Sequence, residues 1–278
     1  AFDAVLLALQ KPGRTVRVLW TREQELANAP LGSAHLVDLS ATLDTHGHIA
    51  RWHHELWSNG YSSRPGRSGT SVLLAAPHLP HGQPAPIAIN PPLAAGGGGD
   101  RNAVPGYAFE HMAVTNHRLL EMPIRTSAMR ALGGYANVFA IESFMDELAH
   151  QSGQDPLAFR LRHLSDARAI DVLKAVVERS AWWNEPREEG VGHGLAWARY
   201  KNTGAWCAVA AVSAVERLAR QLRVQRVAAI AAGETGPTRS SAAARTTSAA
   251  APSCARHAGI APPVIRIRLS IYPTGNKA

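Results

Sequence analysis

The chain has 278 residues, 46% apolar and 18% charged, enough for one large domain or two modest ones with a sizeable core. No apolar run approaches the roughly 20 residues a bilayer requires, and residues 1–10 lack a basic leader before a small-residue cleavage site, so neither a membrane span nor an intact signal peptide is expected. The net charge of +8 is uneven: ten of the 29 basic residues and one of the 21 acidic ones follow Glu216, which confines polyanion-binding character to the tail.

Phe2, Val5, Leu6 and Leu9 recur at helical spacing and stop at Pro12-Gly13, predicting a short amphipathic helix. Thr15–Arg22 alternates Val16 and Val18 about Arg17 and predicts a half-buried strand. His35–Asp44 and His48–Ser58 alternate on either side of Asp44-Thr45-His46-Gly47, predicting a β-hairpin. From Asn59 to Gly106 eight prolines and the Gly96–Gly99 run dissolve the pattern into a long loop, a functional wrap or a plain surface excursion with equal weight. Asn116–Glu121 and Ile124–Met129 read as short strands broken at Pro123. Tyr135–Gln151 reads as a long helix with Val138, Ile141, Met145 and Leu148 on one stripe, ended by Gly153. Asp155-Pro156 opens a second helix through Leu164, and Asp166 caps a third through Ser180. Gly192–Lys201 and Ala205–Val212 read as strands re-entering a sheet. Gly236–Gly259 contains no Val, Ile, Leu, Met or aromatic residue and cannot build a core.

Few residue patterns here carry chemistry unaided. Arg130–Gly134 places glycines directly before a helix, where backbone N–H groups can meet an anion, although most such glycines are turns. The histidine groups His46/His48, His53/His54 and His78/His81 lack a completing ligand set, and His53 and His54 fall on opposite faces of a strand, so no metal site is expected. Glu142, Asp146 and Glu147 read as a solvated helix face. Gly96–Gly99 lacks the Lys-Ser/Thr of a phosphate loop. Cys207 reads as an inert strand thiol and, with Cys254, makes neither a disulfide framework nor a four-ligand zinc site.

Thr126–Leu148 (TSAMRALGGYANVFAIESFMDEL) resembles the molybdenum-cofactor-binding large subunit of the xanthine dehydrogenase/aldehyde oxidase family, bacterial type. So do, in order, VRVLWTREQE at Val16–Glu25, ELWSNGYSSRPG at Glu55–Gly66, GGGDRNAVPGY at Gly97–Tyr107, GQDPLAFRLRHL at Gly153–Leu164 and ARYKNTGAWCAV at Ala198–Val209. The resemblance covers roughly residues 1 to 210. It implies an α+β chain of mixed sheets with packed helices: residues 1–164 as the C-terminal part of a first cofactor-binding domain, 165–235 as a connecting helix and the start of a second, and 236–278 as a disordered or frameshifted tail.

The resemblance further implies molybdopterin, as its cytosine dinucleotide, and oxidative hydroxylation of an aldehyde or N-heterocycle with water-derived oxygen. Electrons would leave through a separate iron–sulfur subunit, in the cytoplasm or in a complex exported folded. The family's Arg-containing loop falls on Arg130, Ala131, Leu132 and Gly133, giving cofactor contacts at Arg130, Ala131 and Gly133 and a substrate wall at Leu132, where relatives often carry an aromatic. The family's GGFG-type loop and the GxGE motif of its catalytic glutamate do not occur in these 278 residues, so no catalytic residue is assigned and the chain alone is expected to be inactive. A non-catalytic anion-binding or nucleic-acid-binding role through the basic tail is the alternative. Nucleic acid as a partner of the body is not expected.

Overall fold

A computed structural model describes residues 2–63, 80–81, 87–122, 126–180, 189–216, 221–233, 239–241 and 264–271. Phe2–Leu9 forms α1 as its spacing requires. The strand expected at Thr15–Arg22 does not form: residues 15–21 are irregular, and Leu19 is 73% exposed. Two competitors explain this. The open edge of the neighbouring hairpin is taken by residues 264–271, so the segment has no ladder to join. Thr21 and Gln24 also close a capping box, Gln24 N–H donating to Thr21 Oγ1 at 3.3 Å and Thr21 N–H to Gln24 Oε1 at 3.0 Å, which starts α2 at Arg22–Asn28.

The hairpin stands as expected, with β1 at His35–Leu43 and β2 at Ile49–Asn59 paired antiparallel. Its turn is closed by Asp44, whose Oδ1 accepts from the His46 and His48 amides, each at 2.8 Å. β3, His111–Leu119, starts before the expected Asn116 and runs parallel to β2. A parallel neighbour can be reached only by a crossover, which accounts for the length of the Pro/Gly-rich stretch between them. Of the second expected strand, Thr126 makes only an isolated bridge to Leu31 and residues 127–129 are irregular. Ile124, Arg125, His78, Trp182, Trp183 and Cys254 lie outside the described residues.

Three helices follow: α3 at Gly134–Gln151, α4 at Pro156–Arg162 and α5 at Ala167–Arg179. Asp155 and Asp166 cap the last two with their carboxylates, and Asp166 also accepts from Trp206 Nε1 at 2.8 Å. The second sheet takes β4 (Val191–Arg199), β5 (Trp206–Glu216), β6 (Gln221–Ala232) and β7 (Arg239–Ser241) in sequential antiparallel order. β8, Val264–Ile271, completes the first sheet in the order β3-β2-β1-β8. Helix α3 touches both sheets, α5 lies on β5 and β6, and one continuous apolar core runs through all of them. At its centre Trp52 stacks on Phe109, centroids 4.9 Å apart, and tilts against Phe144; burying side chains of this size contributes about 2–3 kcal/mol each.

The expected solvated face of α3 is overturned at Glu142, which is 4% exposed. Its carboxylate accepts from Tyr107 OH at 2.8 Å, Arg160 Nε at 3.0 Å and the Trp197 amide at 3.2 Å. Arg160, fully buried, also donates to Asp146 Oδ1 at 2.6 Å and to the Glu142 carbonyl at 2.9 Å. The helical repeat puts Glu142 beside Ile141 and Met145 on the covered side of α3, and a buried charge survives only when paired in this way. Glu147, by contrast, is exposed.

Candidate functional site

The segment entering α3 is a tight bend built largely without glycine. Ala131 and Leu132 hold φ of 72° and 52°, a left-handed pair that costs L-residues energy and persists only where the surroundings enforce it. The enforcement is visible. Leu132 N–H donates to the Met129 carbonyl, Gly134 N–H to Ala131 and Gly133 N–H to Gly98, each at 3.0 Å. Gly133 can only be glycine, because a Cβ there would lie 2.2 Å from the Gly99 carbonyl oxygen. Asn137, one turn into α3, donates from Nδ2 to the carbonyls of Gly99 and Arg101 at 2.8 and 2.9 Å. The bend therefore sits on the Gly98–Arg101 segment as on a ledge.

The four expected site residues are graded across this ledge. Arg130 is exposed, Ala131 and Leu132 are half-buried, and Gly133 is buried. Among the described residues the amides of Arg130 and Ala131 donate to no acceptor, while those of the next three residues are all committed. Two uncommitted donors side by side on a strained bend can meet an acceptor-rich ligand. The Gly96–Gly99 run does not compete for that role, since the Gly98 and Gly99 amides are turned onto Asp100 Oδ1 and Asn90 Oδ1. A shallow recess lies elsewhere, against β4 and farther along α3, lined by Asn102, Ile141, Glu142, Trp197 and Arg199.

Sequence reasoning missed a group beneath the ledge. His35, His54, Ser58, Tyr61 and Asn137 are all buried polar residues. Burial lowers the ring pKa of both His35 and His54 to about 4, so both are neutral at pH 7. The available signal was parity: His35, His54 and Ser58 share the inward face with Val37, Leu39 and Leu56. Among the described residues no cluster of three or more His, Cys, Asp or Glu could hold a metal ion, and no helix is long and apolar enough to cross a membrane. Cys207 is a free, half-buried thiol whose pKa burial raises.

Comparison with known proteins decides what the ledge belongs to. Residues 99–164, which contain the bend and all of the ledge but Gly98, match the family model of the molybdopterin cofactor-binding domain. The chain is 39% identical over 208 residues to a nicotinate dehydrogenase subunit from Pseudomonas putida, a match covering 71% of this chain and 16% of that protein. It is 38% identical over 77 residues to the beta chain of isoquinoline 1-oxidoreductase from Brevundimonas diminuta, covering 27% of this chain and 10% of that one. The chain belongs to the molybdenum hydroxylase large-subunit family.

The chain spans about one sixth of the length of the longer-matching relative. Among solved structures it is similar to quinoline 2-oxidoreductase from Pseudomonas putida 86, with a TM-score of 0.47 at 16% identity over 73% of this chain and 25% of that one. It is also similar to the aldehyde oxidoreductase of Desulfovibrio desulfuricans, with a TM-score of 0.45 at 17% identity over 73% and 21%. The α+β architecture expected for a partial cofactor-binding domain is the one observed.

Proposed function

We propose that this chain supplies one wall of a molybdopterin site, with the cofactor in its cytosine dinucleotide form, in an enzyme that hydroxylates an N-heterocycle or aldehyde and passes electrons to an iron–sulfur subunit. The observation that carries the reading is the Ala131–Leu132 left-handed bend, with its two uncommitted amides at Arg130 and Ala131, inside the matched cofactor-binding domain. When bound, the molybdenum–pterin group supplies the oxidising centre. The residues of this chain bind and orient: the Arg130 and Ala131 N–H groups donate to cofactor acceptors, and Gly133 lets the bend lie on the Gly98–Gly99 carbonyls. Leu132, half-buried beside them, presents an aliphatic wall to substrate. None of these side chains can take a proton from an attacking oxygen, so the bend binds and orients and the base lies outside it.

The test is cofactor content in the full subunit produced in a host that makes molybdopterin. Near-stoichiometric pterin is expected, with cytidine nucleotide released on acid treatment. Gly133→Ala, which drives a methyl into the Gly99 carbonyl, should lose at least nine-tenths of the pterin, whereas Gly194→Ala, with nothing within 4 Å, should keep it. Leu132→Phe should retain pterin and shift kcat/KM toward flat aromatic substrates by about tenfold, the scale of one contact pocket. Full pterin content in the Gly133→Ala protein would refute the assignment of the bend.

A further inference from the structure

Beneath the ledge lies a group of side chains that the cofactor reading does not use. His35 (2% exposed), His54 (0%) and Ser58 (1%) project inward from the hairpin, Tyr61 (0%) follows β2, and Asn137 (0%) comes from α3. Both ring nitrogens of His35, Ser58 Oγ and the Tyr61 hydroxyl make no hydrogen bond among the described residues. These groups converge. A methyl on Gly99 would lie 2.3 Å from Ser58 Oγ and 3.7 Å from His35 Nε2, so both atoms point at the underside of the glycine run. The His35 and Tyr61 rings meet edge to face at 5.6 Å. His54 borders the same space, its ring satisfied by the Ala103 backbone and the Asn137 side chain, whose amide nitrogen holds two ledge carbonyls.

An unmatched buried donor or acceptor destabilises a fold, and so many in one place call for a common partner. We propose that His35, His54, Ser58, Tyr61 and Asn137 form a hydrated chamber beneath residues 98–103, a site for internal water that sets the position of the Gly98 and Gly99 carbonyls on which the cofactor bend rests. The lining chemistry selects water over an ion. The neutral His35 imidazole offers one donor and one acceptor, and the Ser58 and Tyr61 hydroxyls can do either, so a guest that both donates and accepts completes the set. A cation would find no carboxylate or thiolate among these five. An anion would find no free cation among the described residues at the ledge, where Arg101 is turned onto the Gly96 and Gly97 carbonyls and the Tyr200 hydroxyl. The mechanical link runs through Gly98, whose carbonyl accepts from both Arg101 and Gly133, and through Asn137, which cannot rotate without releasing Gly99.

Oxygen-17 magnetic relaxation dispersion on the 278-residue chain counts long-lived internal waters, and amide hydrogen exchange reads the ledge. Wild type is expected to hold at least one long-lived water that is lost in the near-isosteric Ser58→Ala/Tyr61→Phe double variant. Exchange at the Arg101 and Gly133 amides should quicken about tenfold in that variant, while the core amides of α5 keep their protection. An unchanged water count in a folded double variant overturns the proposal. If the variant does not fold, a wild-type crystal structure decides: ordered water bonded to Ser58 Oγ and His35 Nε2 supports it, and direct protein partners for those atoms overturn it. The count is made without cofactor, so failure here leaves the cofactor assignment standing.

Discussion

Replacing Arg160 with Met isolates the weight of the network joining α3, α4 and β4. The arginine makes four hydrogen bonds, to the Glu142 carboxylate and carbonyl, to Asp146 and to the Pro156 carbonyl, and its side chain is wholly buried. Met fills much of the volume, so the cost falls on Glu142, left buried with only Tyr107 and the Trp197 amide. Removing one partner of a buried ion pair costs about 3–5 kcal/mol. Asp146, about one third exposed, can turn to water and adds little. Burial already pushes the Glu142 carboxyl pKa up with Arg160 beside it, and losing the cation pushes it further. A carboxyl whose folded pKa is raised binds its proton more tightly in the folded state, so its penalty grows as pH rises above the ordinary carboxylate range. Urea unfolding at pH 7 and pH 5 should therefore show Arg160→Met closer to wild type at the lower pH. The Arg160→Met/Glu142→Gln double variant, which removes the orphaned charge, should recover at least about 1.5 kcal/mol of the single variant's loss. A single variant costing under about 1 kcal/mol, or a double variant no better than the single, would refute the account of Glu142 as a charge held by its partner.

Three further outcomes are expected. His35 and His54, each lowered from 6.5 to about 4, stay neutral in the folded state while the unfolded chain takes up protons, so stability should fall as pH drops from 6.5 towards 4, by about 3 kcal/mol per histidine. A His54→Leu variant should show a flatter pH dependence of its unfolding midpoint, and an identical slope would contradict the assignment. Asp166→Ala should cost about 1–2 kcal/mol, because the carboxylate caps α5 and holds the Trp206 indole; a thermal midpoint unchanged within error would deny the cap its role. Cys207, in a Cys254→Ser background, should react with a disulfide reagent at pH 8 at least tenfold more slowly than a free thiol, since burial raises its pKa, and a rate matching free cysteine would show the strand open.

Where local signals were uncontested, the fold could be read directly from residues: the Asp44–Gly47 turn, the Asp155-Pro156 and Asp166 caps, and the alternation in β1 and β2 all describe elements that formed. Thr15–Arg22 failed because alternation reports only willingness to pair, and the ladder it needed was claimed by residues 264–271, distant in sequence. Glu142 was misread because a carboxylate at the margin of an apolar stripe looks the same whether water or a guanidinium eighteen positions later satisfies it. The bend at Arg130–Gly133 was legible through resemblance, not through spacing. Its left-handed pair falls on Ala and Leu, residues that advertise no such conformation. The chamber beneath it is assembled from three separate segments, and only the shared parity of His35, His54 and Ser58 hinted at it.

The pairing of β1 with β8 has a consequence in time. Thr42 meets Val264, about 220 positions away, so one flank of the hairpin keeps its backbone groups open until that much more chain has left the ribosome. At synthesis rates of about 5–20 residues per second, that interval is roughly 10 to 45 s, far longer than the microseconds a hairpin needs to form. During it the β1 edge can template pairing with any extended strand nearby. Recovery of this protein in soluble form should therefore depend more on expression temperature and chaperone supply than on the equilibrium stability of the finished fold.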